Sequence, residues 1–204
     1  MSNRIVVTIS REYGSGGREV GRLLAEMLGI PFYDKELLTY MGESNHFDPE
    51  LFQLIDVDFE FSNFYLADEL APKGKLHDLG VLEIQERIQR LQEKTIRHLA
   101  KESCVIIGRC SDYILRDDVD CVHVFIRADI QDKRQRAIHE YGEALENINE
   151  KLLSVDTQRG NYYNYFTSRV WGRPSNYDMM ISTSHLKLEE CAKVLRDYIE
   201  MRNR

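Results

Sequence analysis

The stretch IVVTISREYGSGGREVGRLLAEML, residues 5–28, decides how the rest of the chain is read. Ile5, Val6, Val7 and Ile9 form a short apolar, β-branched run, the pattern of a buried strand. Gly14, Gly16 and Gly17 follow, and glycines at that density let the backbone turn tightly and aim its N–H groups inward. Val20, Leu23, Leu24, Met27 and Leu28 then recur at helical spacing along one face. Gly29 is placed to end that helix, with Pro31 just beyond it. The order is therefore strand, glycine loop, helix. A helix N-terminus offers unpaired N–H groups and the positive end of its dipole, and so favours an anion, usually phosphate.

The loop departs from the strict phosphate-loop pattern G-x-x-x-x-G-K-[ST]. Arg11 stands where the first glycine belongs, Gly17 where the lysine belongs, and Arg18 follows. The glycines are not spaced as a dinucleotide fingerprint either. The simpler alternative is a glycine-rich strand-to-helix turn that holds no ligand.

Composition limits the remaining possibilities. The 204 residues suffice for one domain with a subdomain, and 43% hydrophobic with 30% charged residues is ordinary for a globular protein. A formal net charge of −7 argues against general nucleic-acid binding. No apolar run approaches the roughly 20 residues of a membrane span, and the N-terminus lacks the apolar core of a signal peptide. Cys104, Cys110, Cys121 and Cys191 have no CxxC spacing and read as reduced thiols, so a cytoplasmic protein is expected.

Further along, residues 29–34 (GIPFYD) read as a second strand ending in Asp34, and residues 35–41 as helical. Residues 42–72 carry eight carboxylates and no Lys or Arg, interleaved with aromatics. Asp48-Pro49 is a good helix start. This segment is either a cap over an acceptor site or an amphipathic insertion with a solvated acidic face. Residues 78–101 read as a long helix with Glu83–Arg87, Glu86–Arg90 and Glu93–Arg97 as i,i+4 pairs. Residues 104–108 (CVIIG) form a third strand with Arg109 at its end, where parallel sheets hold ligands and a guanidinium can clamp a phosphate. Residues 122–126 (VHVFI) form a fourth strand. Asp129 is placed to cap the following helix, on which Lys133 and Arg136 share a face. A solvated face and a phosphate-facing one both fit these two cations. Residues 142–173 read as two helical pieces holding Asp156, Arg159 and the aromatic run Tyr162 to Phe166. A local Asp156–Arg159 salt bridge is the plain structural alternative to a functional role. Residues 176–181 read as a fifth strand, and a closing helix follows from Leu188.

Strands alternating with helices imply an α/β fold with a five-stranded parallel sheet covered by helices, of the nucleotide-kinase type. Taken together, ISREYGSGGREVG, LGIPFYDKELL, VIIGRCSDYIL, VFIRADIQDKRQRA, DTQRGNYY and WGRPSNYDMMI resemble, in order, segments of the cytidylate kinase-like family, relatives of the P-loop nucleoside monophosphate kinases. The resemblance spans nearly the whole chain and implies one P-loop kinase-like domain over 1–204. Within it, 42–72 would be a helical acceptor-side cap and 142–173 a lid.

It further implies ATP-dependent phosphoryl transfer, with Mg²⁺, to a nucleoside monophosphate (CMP- or dCMP-like) or a related small acceptor. Gly14, Ser15, Gly16, Gly17, Arg18 and Glu19 would hold the donor phosphates. Arg109 would hold the acceptor phosphate, with Asp34 and Asp156 on the substrate side. Lys133, Arg136 and Arg159 would be the lid cations. Arg18 is the nearest replacement for the missing lysine, and Glu19, which stands in place of the family's hydroxyl residue, is the candidate magnesium ligand. Cys110 replaces an aspartate suited to hydrogen-bonding a cytosine, and Leu152 lies where a lid arginine is expected, beside Lys151. Two functions follow: an active phosphotransferase acting on small nucleotides, or a nucleotide-binding regulatory module with little turnover.

Overall fold

The computed structural model describes residues 4–34 and 81–202, with the backbone alone over 81–88. The helix expected at 35–41, the Asp48-Pro49 start and the cap at 42–72 lie outside those residues. The described elements, in order, are β1 (Val6–Arg11), α1 (Gly17–Leu28), β2 (Phe32–Tyr33), α2 (Val81–Leu99), β3 (Cys104–Ile107), α3 (Ser111–Ile114), β4 (Cys121–Arg127), α4 (Ile130–His139), α5 (Ile148–Thr167), β5 (Met179–Ser182) and α6 (Leu188–Arg202).

The five strands pair in parallel in the order β2-β3-β1-β4-β5. Val6 faces Cys104 on one side and Cys121 on the other, and the register continues to Ile9 opposite Ile107 and Arg11 opposite Ile126. Successive side chains on a strand point to opposite faces. Val7, Ile9, Val105, Ile107, Val122, Val124 and Ile126 accordingly pack on one face with Val20 and Leu24 of α1 and Cys191, Leu195 and Ile199 of α6. Val6, Cys104, Ile106 and Cys121 pack on the other with Ile96 and Leu99 of α2 and Ile114 of α3. Both faces are covered, which is why the strands read as continuous apolar runs rather than alternating ones.

The local signals around the first helix hold. Gly29 caps α1 in the left-handed conformation, its N–H reaching the Ala25 and Glu26 carbonyls. Three expectations are corrected. Residues 142–173 are not two helical pieces: α5 is one helix of 20 residues, followed by a short 3₁₀ turn at Pro174–Asn176. Its polar composition hides that Leu152 packs against Ala137 on one side while Tyr162 and Tyr163 pack against Cys110 on another. Asp129 occupies the N-cap of α4 but makes no side-chain cap bond; its own N–H donates instead to Ser184 Oγ at 2.7 Å. The second strand shrinks to Phe32–Tyr33, where the chain pairs only briefly with β3.

Candidate active site

The glycine loop lies between the carboxyl end of β1 and the start of α1, and its conformation is left-handed at Gly14 (φ 77°) and Gly16 (φ 74°). A Cβ on Gly14 would sit 2.7 Å from the Lys133 carbonyl oxygen, so the loop backbone presses directly on α4. Ser15 is fully buried; its Oγ donates to the Glu12 carbonyl at 2.8 Å, and its own carbonyl accepts from Thr183 Oγ1 at 2.7 Å. The helical ladder begins with the Val20 N–H on the Gly16 carbonyl at 3.0 Å. The N–H groups of Gly17, Arg18 and Glu19 precede that ladder, at the anion-favouring end of α1.

Four of the expected site residues hold the loop from behind. Lys133, 7% exposed, donates from Nζ to Asp156 Oδ2 at 2.6 Å and lies 3.3 Å from Glu12 Oε2. Asp156 Oδ1 accepts from the Tyr13 backbone N–H at 2.6 Å. Arg136 Nη1 donates to the Gly14 carbonyl at 2.7 Å, and Arg159 Nη1 to the Arg11 carbonyl at 3.0 Å. The Asp156–Arg159 pair is present at 3.7 Å, but the shorter contacts of both residues run to the loop. Lys133 and Arg136 do share the inward face of α4, and that face meets protein groups of the loop. Lys151, the neighbour of Leu152, donates to Glu143 at 2.6 Å, while Leu152 is buried.

The remaining expected residues lie on the open side. Arg18 donates from Nε to Asp34 Oδ2 at 2.5 Å, so its guanidinium reaches the end of β2. Glu19 accepts from Tyr141 Oη at 3.3 Å, and among the described residues no group of three or more His, Cys, Asp or Glu side chains could hold a metal ion. After β3, Gly108, Arg109 and Cys110 run through three consecutive left-handed conformations (φ 67°, 59° and 54°). For Arg109 and Cys110 that geometry costs roughly 1–2 kcal/mol per residue, the kind of local strain that accumulates at functional sites. The turn places Arg109 on a cleft that Ser10, Arg11, Cys110, Arg159, Tyr163 and Trp171 also line.

Burial lowers the pKa values of Arg109 and Arg159 from the ordinary arginine range. Burial, with the neighbouring guanidinium of Arg159, lowers that of Arg11 to about 9, leaving it charged at neutral pH. Cys110 is pushed up by burial and then by Asp112, so it is present as a neutral thiol. Asp112 is raised to about 6, chiefly by burial, against the Tyr163 hydroxyl that donates to its Oδ2 at 2.7 Å.

Arg11 is the residue the sequence reading passed over. It registered only as a departure from the loop pattern, yet its side chain lines the cleft and lies 3.8 Å from Asp34. The signal available in sequence was the pairing of two departures, arginine at 11 and glycine at 17. Tyr162 and Tyr163 of α5 pack with Cys110, and together with Trp171 they also wall the cleft. An aromatic wall with guanidinia at its end suits a flat ring carrying a phosphate.

Comparison with known proteins agrees with this architecture. The family model described as cytidylate kinase-like matches residues 6–185, and the chain belongs to that family. A curated cytidylate kinase of Pyrobaculum aerophilum is 22% identical over 195 residues, covering 95% of this chain and 92% of its own length. The crystal structure of an uncharacterised protein from Eubacterium ventriosum is 29% identical, with a TM-score of 0.72 over 98% of this chain and 99% of its own. Shikimate kinase of Acinetobacter baumannii, solved with shikimate, shares the fold at 14% identity and a TM-score of 0.54, over 98% of this chain and 94% of its own.

Proposed function

From membership of the cytidylate kinase-like family, we propose that this protein transfers the γ-phosphoryl group of ATP to the phosphate of a nucleoside monophosphate, of which CMP and dCMP are the first to test. The observation that carries the proposal is the convergence of guanidinia, with Arg109 and Arg159 lining one aromatic-walled cleft at the carboxyl end of β1, next to the glycine loop. The name of the Pyrobaculum relative supports the choice of acceptor.

In the transfer, an acceptor phosphate oxygen forms a new bond to the γ-phosphorus. The bond from that phosphorus to the β,γ-bridging oxygen breaks, and its electron pair leaves with ADP. Little covalent chemistry is asked of the protein, which positions the two phosphates and offsets their charge. The first-turn N–H groups of α1 receive the donor phosphates, and Arg109 the acceptor phosphate. Lys133, Asp156 and Arg136 fix the loop that aims those N–H groups. Glu19 at the start of α1 would hold Mg²⁺, a hard cation that takes few protein ligands, and the ion would offset charge on the donor phosphates. Residues 142–173 act as the lid. The neutral thiol of Cys110 hydrogen-bonds a base weakly, which favours shape over hydrogen bonding in base selection.

A regulatory module without turnover draws support from Lys133 and Arg136, whose cationic heads rest on protein acceptors rather than facing the cleft. One screen separates the readings: ATP·Mg²⁺ against CMP, dCMP, UMP, AMP, GMP and small sugars, scored by ADP formation. Turnover that depends on one acceptor supports the kinase. ATP binding without acceptor-dependent ADP refutes it.

A further inference from the structure

The two departures in the glycine loop touch each other. Arg11, at the end of β1, takes the place of the pattern's first glycine, and Gly17 that of its lysine. A Cβ added to Gly17 would lie 2.5 Å from Arg11 Cβ, closer than two such atoms can approach. Further along the same side chain, a Cβ added to Gly108 would lie 2.3 Å from Arg11 Nη1. Arg11 therefore leaves β1 across the start of α1 and ends over the turn after β3. It runs in a slot that exists because positions 17 and 108 carry no side chain. A lysine at 17 and an arginine at 11, each in its present backbone position, exclude one another by volume.

The head of Arg11 stands among like charges. Arg18, Arg109 and Arg159 all act electrostatically on it, and Asp34 is the carboxylate that opposes them, at 3.8 Å. Asp34 is already engaged by Arg18 at 2.5 Å, and Asp156, which serves Arg159, is engaged by Lys133 and the Tyr13 N–H. Among the described residues, the largely buried heads of Arg11 and Arg159 face carboxylates that each already serve another cation, and an oxyanion of charge −2 or more completes such a pair. Arg11 is better placed for that than Arg18, whose side chain is 48% exposed against 19% for Arg11.

We infer that Arg11 supplies the phosphate-binding charge that this loop lacks at Gly17, holding the terminal phosphoryl oxygens of a nucleoside triphosphate between the loop and Arg109. The inference rests on the phosphotransferase reading for the identity of the ligand, while the anion site itself is tested without turnover.

The test is calorimetry with inorganic tripolyphosphate and, separately, ATP·Mg²⁺, alongside the acceptor-dependent turnover assay. Wild type is compared with Arg11→Met, Arg11→Lys, Arg18→Met, Gly17→Lys, the double variant Arg11→Gly with Gly17→Lys, and the surface control Arg196→Met. Loss of a charged hydrogen-bonding group predicts that Arg11→Met weakens tripolyphosphate binding at least about tenfold, Arg11→Lys less, and Arg18→Met less than Arg11→Met. Gly17→Lys alone binds poorly because it collides with Arg11, whereas the double variant, with lysine and glycine in their pattern positions, recovers to within about threefold of wild type. Circular dichroism reports folding. Should Arg11→Met not fold, the double variant decides, and a folded double variant that binds no tripolyphosphate overturns the inference. It is also overturned if wild type binds none, if Arg11→Met binds as wild type does, or if Gly17→Lys alone matches the double variant. Arg11-dependent tripolyphosphate binding with no acceptor turned over leaves the anion site standing and removes the phosphotransferase reading. Acceptor-dependent turnover that survives Arg11→Met does the reverse.

Discussion

Replacing Asp112 by Asn should stabilise the protein at neutral pH and gain much less in acid. Asp112 sits on α3, 3% exposed, with Oδ2 accepting from the Tyr163 hydroxyl at 2.7 Å. Burial raises its carboxyl from 3.8 to about 6. A folded-state pKa above the unfolded one means that the native state binds more protons between the two values. Native stability therefore falls as pH rises from about 4 through about 6 and stays low above that. The full difference is about 3 kcal/mol, from 1.36 kcal/mol per pKa unit. Asparagine mimics the protonated acid, with an oxygen that can still accept from Tyr163. Asp112→Asn should then be more stable than wild type by about 1 kcal/mol at pH 4.5 and about 3 kcal/mol at pH 7.5. For a chain of this size, about 3 kcal/mol is a rise in Tm of roughly 6–12 °C. Urea denaturation at both pH values, with calorimetric Tm as a cross-check, measures the difference. An Asn variant with the same advantage at both pH values, or one less stable than wild type at pH 7.5, would refute the reasoning.

Arg109→Lys keeps the charge but loses the planar fork, so acceptor affinity should fall about tenfold while ATP affinity stays nearly constant, as calorimetry with each nucleotide would report. Equal losses for both ligands would move Arg109 out of the acceptor site. Asp156→Ala removes the acceptor of Lys133 and of the Tyr13 N–H, leaving Lys133 with Glu12 at 3.3 Å. The expected destabilisation in urea is roughly 2–4 kcal/mol, and adding Lys133→Met should restore at least about 1 kcal/mol of it. Strict additivity of the two substitutions would mean that no coupled ion pair exists. Hydrogen exchange over 142–173 should slow when ATP·Mg²⁺ and an acceptor are added, as a closing lid requires. If that segment is already as protected as Val6–Arg11 without ligand, the lid idea fails.

The features legible in the sequence are those written in local periodicity. Val6, Val7 and Ile9 announce a buried strand, the spacing of Val20, Leu24 and Met27 announces α1, and three glycines between them announce a turn that opens onto a helix N-terminus. Each of these depends on neighbours a few residues away, because strand and helix periods are properties of a single segment. Tertiary structure alone decided which charge meets which. Lys133 and Arg136 read equally well as solvated or phosphate-facing, and the packing of α4 against the loop turned them onto Asp156 and the Gly14 carbonyl. Arg18 reaches Asp34 because β2 ends beside the first turn of α1. The path of Arg11 over Gly17 and Gly108 required the pairing of β1 with β3, strands that begin at Val6 and Cys104 and are far apart in sequence. Charge partners are chosen at distances of a few ångströms between backbones that the sheet order brings together, and that order is not encoded in any one stretch of residues.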